Sequence, residues 1–152
     1  MDYALFIIGV LGNITALSVF LSPIPTFRAI LANHNTGEHQ PEPYVFILLN
    51  ALLWLYYGVT KANGLLIATI NGFGAVVESI YVAIFLVFAA NRCKRLRTAI
   101  LAAVFDIGIS GAVVAATTFA ISQLELRVTV IGMICACFNV LMYASPLTAV
   151  MK

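Results

Sequence analysis

The sequence has 152 residues, 62% of them hydrophobic and only 9% charged, with a formal net charge of +2. Soluble domains carry nearly three times that share of charge, so a soluble globular protein is excluded and an all-α integral membrane protein is expected. The residues form no Walker loop, dinucleotide fingerprint, metal-ligand cluster or nucleophile–base pair, so neither an enzyme nor a cofactor is expected.

Five apolar runs are long enough to span a bilayer. Span 1 covers residues 4–30, with an apolar core over residues 4–21. Asp2 precedes it and no basic leader does, so a cleaved signal peptide is not expected. The sequon Asn13-Ile14-Thr15 lies inside the apolar run, where glycosylation is not expected. Pro23 and Pro25 follow near its far end, and a polar loop over residues 32–42 holds His34 and His39, read as solvated.

Span 2 starts at Pro43, where proline is tolerated in a first helical turn, and runs to residue 60. It carries Asn50, Trp54, Tyr56, Tyr57 and Gly58. Span 3, residues 65–90, contains Asn71, Gly72, Gly74 and Glu78. Polar groups at membrane depth are costly and face protein or a water-filled cavity, while glycines admit a close neighbour. Asn71 therefore either ties two helices together or faces a ligand.

The run Asn91-Arg92-Cys93-Lys94-Arg95-Leu96-Arg97 is a dense basic loop, with Cys93 a candidate for palmitoylation. Span 4, residues 98–122, carries Asp106, Gly108 and Gly111. Asp106 is expected to snorkel or to pair with a basic residue of the preceding loop. Span 5, residues 128–150, carries Asn139, Met142, Tyr143 and Pro146. Cys135 and Cys137 make no disulfide framework; they point to different faces of this helix and are read as packing residues.

The positive-inside rule places the 91–97 loop in the cytosol and the N-terminus outside it. Arg28 and Lys152 then share the cytosolic side, while Lys61 and Arg127 do not. Span 1 ends Phe20-Leu21-Ser22-Pro23-Ile24 and span 5 ends Tyr143-Ala144-Ser145-Pro146-Leu147. Both run in the same direction, so the echo fits a parallel repeat. Pro23, Pro43 and Pro146 fall toward one side of the membrane, as a gate there would require, although prolines also mark helix ends.

These segments, in order and along essentially the whole chain, resemble the SWEET sugar-transporter family. The residues that carry the resemblance are Gly12-Asn13, Phe20-Leu21-Ser22-Pro23-Ile24-Pro25-Thr26-Phe27, Pro43-Tyr44, Leu53-Trp54, Tyr56-Tyr57-Gly58, the stretch 69–81 and Met142-Tyr143-Ala144-Ser145-Pro146-Leu147. Family members have two parallel three-helix bundles joined by an inversion linker helix. The resemblance implies a first bundle over residues 1–90, a basic loop and linker helix over 91–122, and the first helix of a second bundle over 123–152. Helices 6 and 7 of the family pattern have no counterpart in this sequence.

The resemblance further implies passive, bidirectional sugar movement by alternating access. Asn71 would be the sugar-binding asparagine and Trp54 a pocket-wall aromatic, with Asn50, Asn139 and Met142 also at the site. Met142 stands where sucrose-moving members have smaller side chains, which favours a monosaccharide such as glucose or fructose. Pro23, Pro43 and Pro146 match gate prolines, and Tyr57 matches a tyrosine of the opposite gate. Ala16 stands where some members place a pocket serine. Expected partners are the sugar, the bilayer and other chains of the family in a homo- or hetero-oligomer, with no nucleic acid. The membrane would be the plasma or the vacuolar membrane, the pattern being closest to the vacuolar, fructose-handling subgroup.

Two other functions remain in view. A non-transporting subunit could associate with full-length transporters and change their activity. A different small-solute carrier with the same repeat is disfavoured, because such relatives carry a Pro-Gln pair and this chain has Gln40-Pro41 in a loop. Glu78 and Asp106 are candidates for structural pairing first and for proton coupling second.

Overall fold

The structure is a computed structural model that describes residues 3–150, with the side chains of Leu5 and of residues 143–150 outside the description. Pro146 is therefore named as an expected gate residue, but its side chain lies outside the description. Among the described residues, five stretches are long and apolar enough to cross a membrane, as the composition predicts. They are built from α1 (Tyr3–Leu21), α2 (Ile24–Asn33), α3 (Glu42–Thr60), α4 (Leu65–Val87), α5 (Arg92–Leu101), a π-helical segment (Ala102–Ile109), α6 (Ser110–Ala120) and α7 (Leu124–Val150).

Span 1 is not one helix. Val19 cannot receive the usual hydrogen bond from the residue four places on, because Pro23 has no N–H. The hydroxyl of Ser22 donates to Val19 O instead, at 2.9 Å, and the chain restarts as α2 with Pro25 in its first turn. Across the bundle, the phenol of Tyr81 donates to Phe20 O at 3.1 Å, holding the end of α1 against α4. Phe27 stacks on Tyr81 with ring centroids 4.0 Å apart, which seats α2 on the same helix. Pro43, by contrast, sits in the first turn of α3 and bends nothing.

The loop after α2 is polar but not loose. Thr36 is fully buried, its N–H donates to Phe88 O, and its hydroxyl accepts from Ala90 N–H at 3.1 Å. This latches the loop to the end of α4. His34 and His39 are exposed, as read.

The expected basic loop is helical. Asn91 caps α5 by accepting from Lys94 N–H at 2.8 Å, so residues 92–97 form the first turns of the fourth span. A good cap lets a charged run start a helix at the membrane edge. Lys94 donates to the carbonyls of Gly37 and His39, and Arg97 pairs with Glu42. The expected pairing of Asp106 with this run does not form. Arg97 and Asp106 are nine positions apart, about 13.5 Å of helix at 1.5 Å per residue, beyond side-chain reach. Asp106 is buried in the π-helical segment and its carboxyl has no hydrogen-bond partner among the described residues. The Glu78 carboxyl is likewise unpartnered, near the phenols of Tyr44 and Tyr81.

α3 is the central element, packing on α4 along one side and on α7 along another. Gly58 lets the backbone of α3 approach Ala68 of α4, where a Cβ would stand 2.5 Å from the Ala68 nitrogen. On the other side Leu49 and Leu53 pack against Ile131 and Cys135 of α7. Cys137 is exposed, so the expectation that both cysteines pack holds for Cys135 alone. A residue two places away on a helix points roughly 200° round, which carries Cys137 off the seam. Tyr56 joins α3 to α6 through the hydroxyls of Thr117 and Thr118, at 2.9 and 3.0 Å.

Candidate functional site

Between α1, α3, α4 and α7 lies a cavity of about 620 Å³, within the range of small-molecule sites. α3 contributes through its middle turns, α4 through its first two turns and α1 through its second half. From α3 come Ile47, Asn50 and Trp54, one turn apart and so on one face. From α4 come Ile67, Ile70 and Asn71, and from α7 Asn139 and Met142. α1 supplies the remaining wall, from Gly12 and Asn13 down to Phe20.

All five residues expected at a binding site therefore meet: Asn50, Trp54, Asn71, Asn139 and Met142. Ala16, where a serine was the alternative, also lines the wall and leaves it apolar. The cost of an amide at membrane depth singles out Asn71 and the family resemblance singles out Trp54, and both line the same cavity. The side chains that sequence reasoning passed over are Asn13, on α1, and Phe20, at the cavity end nearest the chain break. Asn13 enters the sequence reading as part of a sequon and of the Gly12-Asn13 pair that carries the resemblance, with no role at the site. The cost of an amide at membrane depth, applied to Asn71, singles out Asn13 equally.

The walls are mainly carbon, with amides set into them. Asn71 Nδ2 donates to Ile67 O one turn back, at 2.9 Å, which turns the amide rather than burying it in another helix. Asn13 Nδ2 donates to Leu66 O at 3.2 Å. The Oδ1 atoms of Asn50 and Asn139 are buried and bond to no group among the described residues. A buried acceptor without a donor costs free energy, so such atoms call for a ligand hydroxyl or water. An amide both donates and accepts, and it suits a ligand whose groups do the same.

Two ends bound the cavity. At one, the Phe20 ring lies against Gly74, where a Cβ would meet the ring carbons. The break at Ser22-Pro23 follows directly. At the other, Tyr57 meets Trp54 edge to face with centroids 5.4 Å apart, and Lys61 Nζ lies 5.3 Å from the Tyr57 ring centre. Tyr57 reaches across to α7, where a Cβ on Gly132 would stand 3.0 Å from its ring. Pro23 and Pro43 are near the first end and Tyr57 at the second, so the structure separates the two sets of expected gate residues. Glu78 and Asp106 do not line the cavity. Among the described residues no cluster of His, Cys, Asp or Glu is suited to a metal ion.

The chain was compared with known proteins. Residues 6–93 match a family described as sugar efflux transporters for intercellular exchange. The chain is 42% identical over 149 residues to the bidirectional sugar transporter SWEET17 of Arabidopsis thaliana, covering 98% of this chain and 61% of that protein. It is 38% identical to SWEET16 of the same plant, covering 95% of this chain and 63% of the relative. It thus spans about three fifths of the length of these relatives. A solved structure of a eukaryotic SWEET transporter superposes with a TM-score of 0.87 at 37% identity, covering 97% of this chain and 69% of that one.

Proposed function

We propose, from the premise that this chain belongs to the SWEET family of sugar transporters, that its cavity binds a monosaccharide and that the chain serves passive, bidirectional sugar movement. The observation that carries this is the cavity itself, an apolar space bounded by amides and by the only tryptophan of the chain. A sugar ring has an apolar face of C–H groups and a rim of hydroxyls. Trp54 covers the face, and Asn71, Asn50 and Asn139 meet the rim. Few and neutral contacts hold the ligand weakly, which suits a carrier that must release what it binds. The family is one of carriers, not enzymes.

Alternating access needs closure at either end. Pro23, with the break it imposes, and Pro43 stand at the end that the basic run makes cytosolic. Pro146 belongs to the same proposed gate by its repeat with Pro23. Tyr57 closes the opposite end by resting on Gly132. On this reading the protein is a multi-pass component of a plasma or vacuolar membrane, with its N-terminus outside the cytosol and other family chains as oligomeric partners.

Radiolabelled glucose and fructose uptake into proteoliposomes tests the reading. A single chain is expected to transport poorly, whereas an assembly in which two chains each contribute a first bundle is expected to equilibrate tracer sugar in either direction without an ion gradient, and Asn71→Ala is expected to lower that uptake at least tenfold. Correctly inserted protein with no uptake would contradict self-sufficient transport and favour the alternative, a subunit that associates with full-length transporters and modulates them.

A further inference from the structure

Asn13 stands opposite Asn71 in an unusual way. The two side chains come from different helices, α1 and α4, yet their amide nitrogens are anchored on neighbouring carbonyls of α4. Asn13 Nδ2 donates to Leu66 O at 3.2 Å and Asn71 Nδ2 donates to Ile67 O at 2.9 Å. Both residues line the cavity, and neither Oδ1 receives a hydrogen bond from a described residue. An anchored amide has a restricted carbonyl direction, so two acceptors are held at the wall of one cavity before any ligand arrives. A tie between helices would explain the Asn13 donor. It does not explain why the acceptor end remains free at a cavity wall, when an apolar residue would pack α1 on α4 without that polar atom in the membrane.

We propose that Asn13 is a second sugar-contacting amide, accepting one ring hydroxyl at Oδ1 while Asn71 accepts another from the same ring. The ligand class is a polyol, two of whose hydroxyls each donate one O–H to one amide oxygen. The proposal rests on the sugar reading above and deepens it, because it makes Asn13 a determinant of which hydroxyl pattern is recognised.

The test is a binding cycle with monodeoxy glucose analogues, each lacking one hydroxyl, followed by the fluorescence of Trp54, the only tryptophan. Asn13→Ala is expected to weaken glucose binding about three- to tenfold, the worth of one neutral hydrogen bond. The distinctive result concerns the analogues. In the wild type, removal of one particular hydroxyl weakens binding; in Asn13→Ala that penalty disappears while penalties at other positions persist. Asn71→Ala is expected to erase the penalty at a different position. Should Asn13→Ala fail to run as a single species in detergent, Asn13→Gln shifts the carbonyl oxygen by one methylene and carries the same cycle. Unchanged analogue penalties in a folded Asn13 variant, or penalties weakened equally at every position, would overturn the proposal and leave Asn13 a helix tie. A wild-type titration with no saturable response would overturn the sugar reading and this inference together.

Discussion

Gly58→Ala is expected to destabilise this protein by forcing α3 away from α4. The new Cβ would stand 2.5 Å from the nitrogen and 2.9 Å from the Cα of Ala68. Those are backbone atoms, so no rotamer change relieves the clash, and α3 and α4 must move apart. Overpacking of this kind costs about 1–3 kcal/mol, and a forced backbone shift tends to the upper end. The helix-propensity gain of alanine over glycine, about 1 kcal/mol, offsets part of it. The turn after α3 is involved as well, since Gly64 packs on the Gly58 carbonyl too closely to carry a Cβ. Thermal melting in detergent checks this. Gly58→Ala is expected to melt several degrees below the wild type, whereas Gly111→Ala, with open space around its Cβ position, is expected to melt at or above it. Sugar affinity should fall with stability, because α3 carries Trp54 and Asn50 while α4 carries Asn71.

Trp54→Ala is expected to have the largest effect on ligand binding with the fold retained. Trp54 is half-buried, so part of the indole faces the cavity and part supports Tyr57 edge to face. Replacing it by alanine removes the aromatic wall against which C–H groups pack and frees Tyr57 from a fixed partner. Edge-to-face pairing alone is worth about 0.5–1.5 kcal/mol, and the lost apolar area adds to that. A combined loss of at least 1.4 kcal/mol corresponds to a tenfold weaker site. Equilibrium binding of radiolabelled glucose to purified protein is expected to show that loss, with Trp54→Phe intermediate. Equal binding by Trp54→Ala and wild type would remove the indole from the site.

The residues that reach the cavity show how much a one-dimensional reading holds. Five spans follow from apolar length, because a bilayer imposes that length on any helix crossing it. Asn71 stands out as an amide followed by two closely spaced glycines in an apolar run, and its place on the cavity wall follows from the same cost that makes it conspicuous. Asn50, Trp54, Asn139 and Met142 came from the resemblance, since each alone is an ordinary membrane-helix residue. Asn13 was legible by the rule applied to Asn71, yet it was absorbed into a glycosylation motif. Other features lie below what periodicity can report. The break in span 1 depends on Ser22 taking the carbonyl that Pro23 leaves free. The helical basic run depends on the Asn91 cap. The isolation of Asp106 depends on the distance along the helix that separates it from the basic residues, and its π-helical setting has no sequence signal that we can name. The assignment of Pro23, Pro43, Tyr57 and Pro146 to gates remains a proposal that the cavity's two ends make concrete.

The central claim is that the cavity takes a sugar between Trp54 and Asn71, and one titration addresses it most directly. Glucose and fructose are added to the purified chain in detergent while Trp54 emission is followed, for the wild type and for Asn71→Ala. A saturable change is expected in the wild type for at least one of these sugars, shifted at least tenfold to higher concentration in Asn71→Ala. A saturable change with the same midpoint in both proteins would contradict the claim, by showing that sugar binds without the amide on which the site is built.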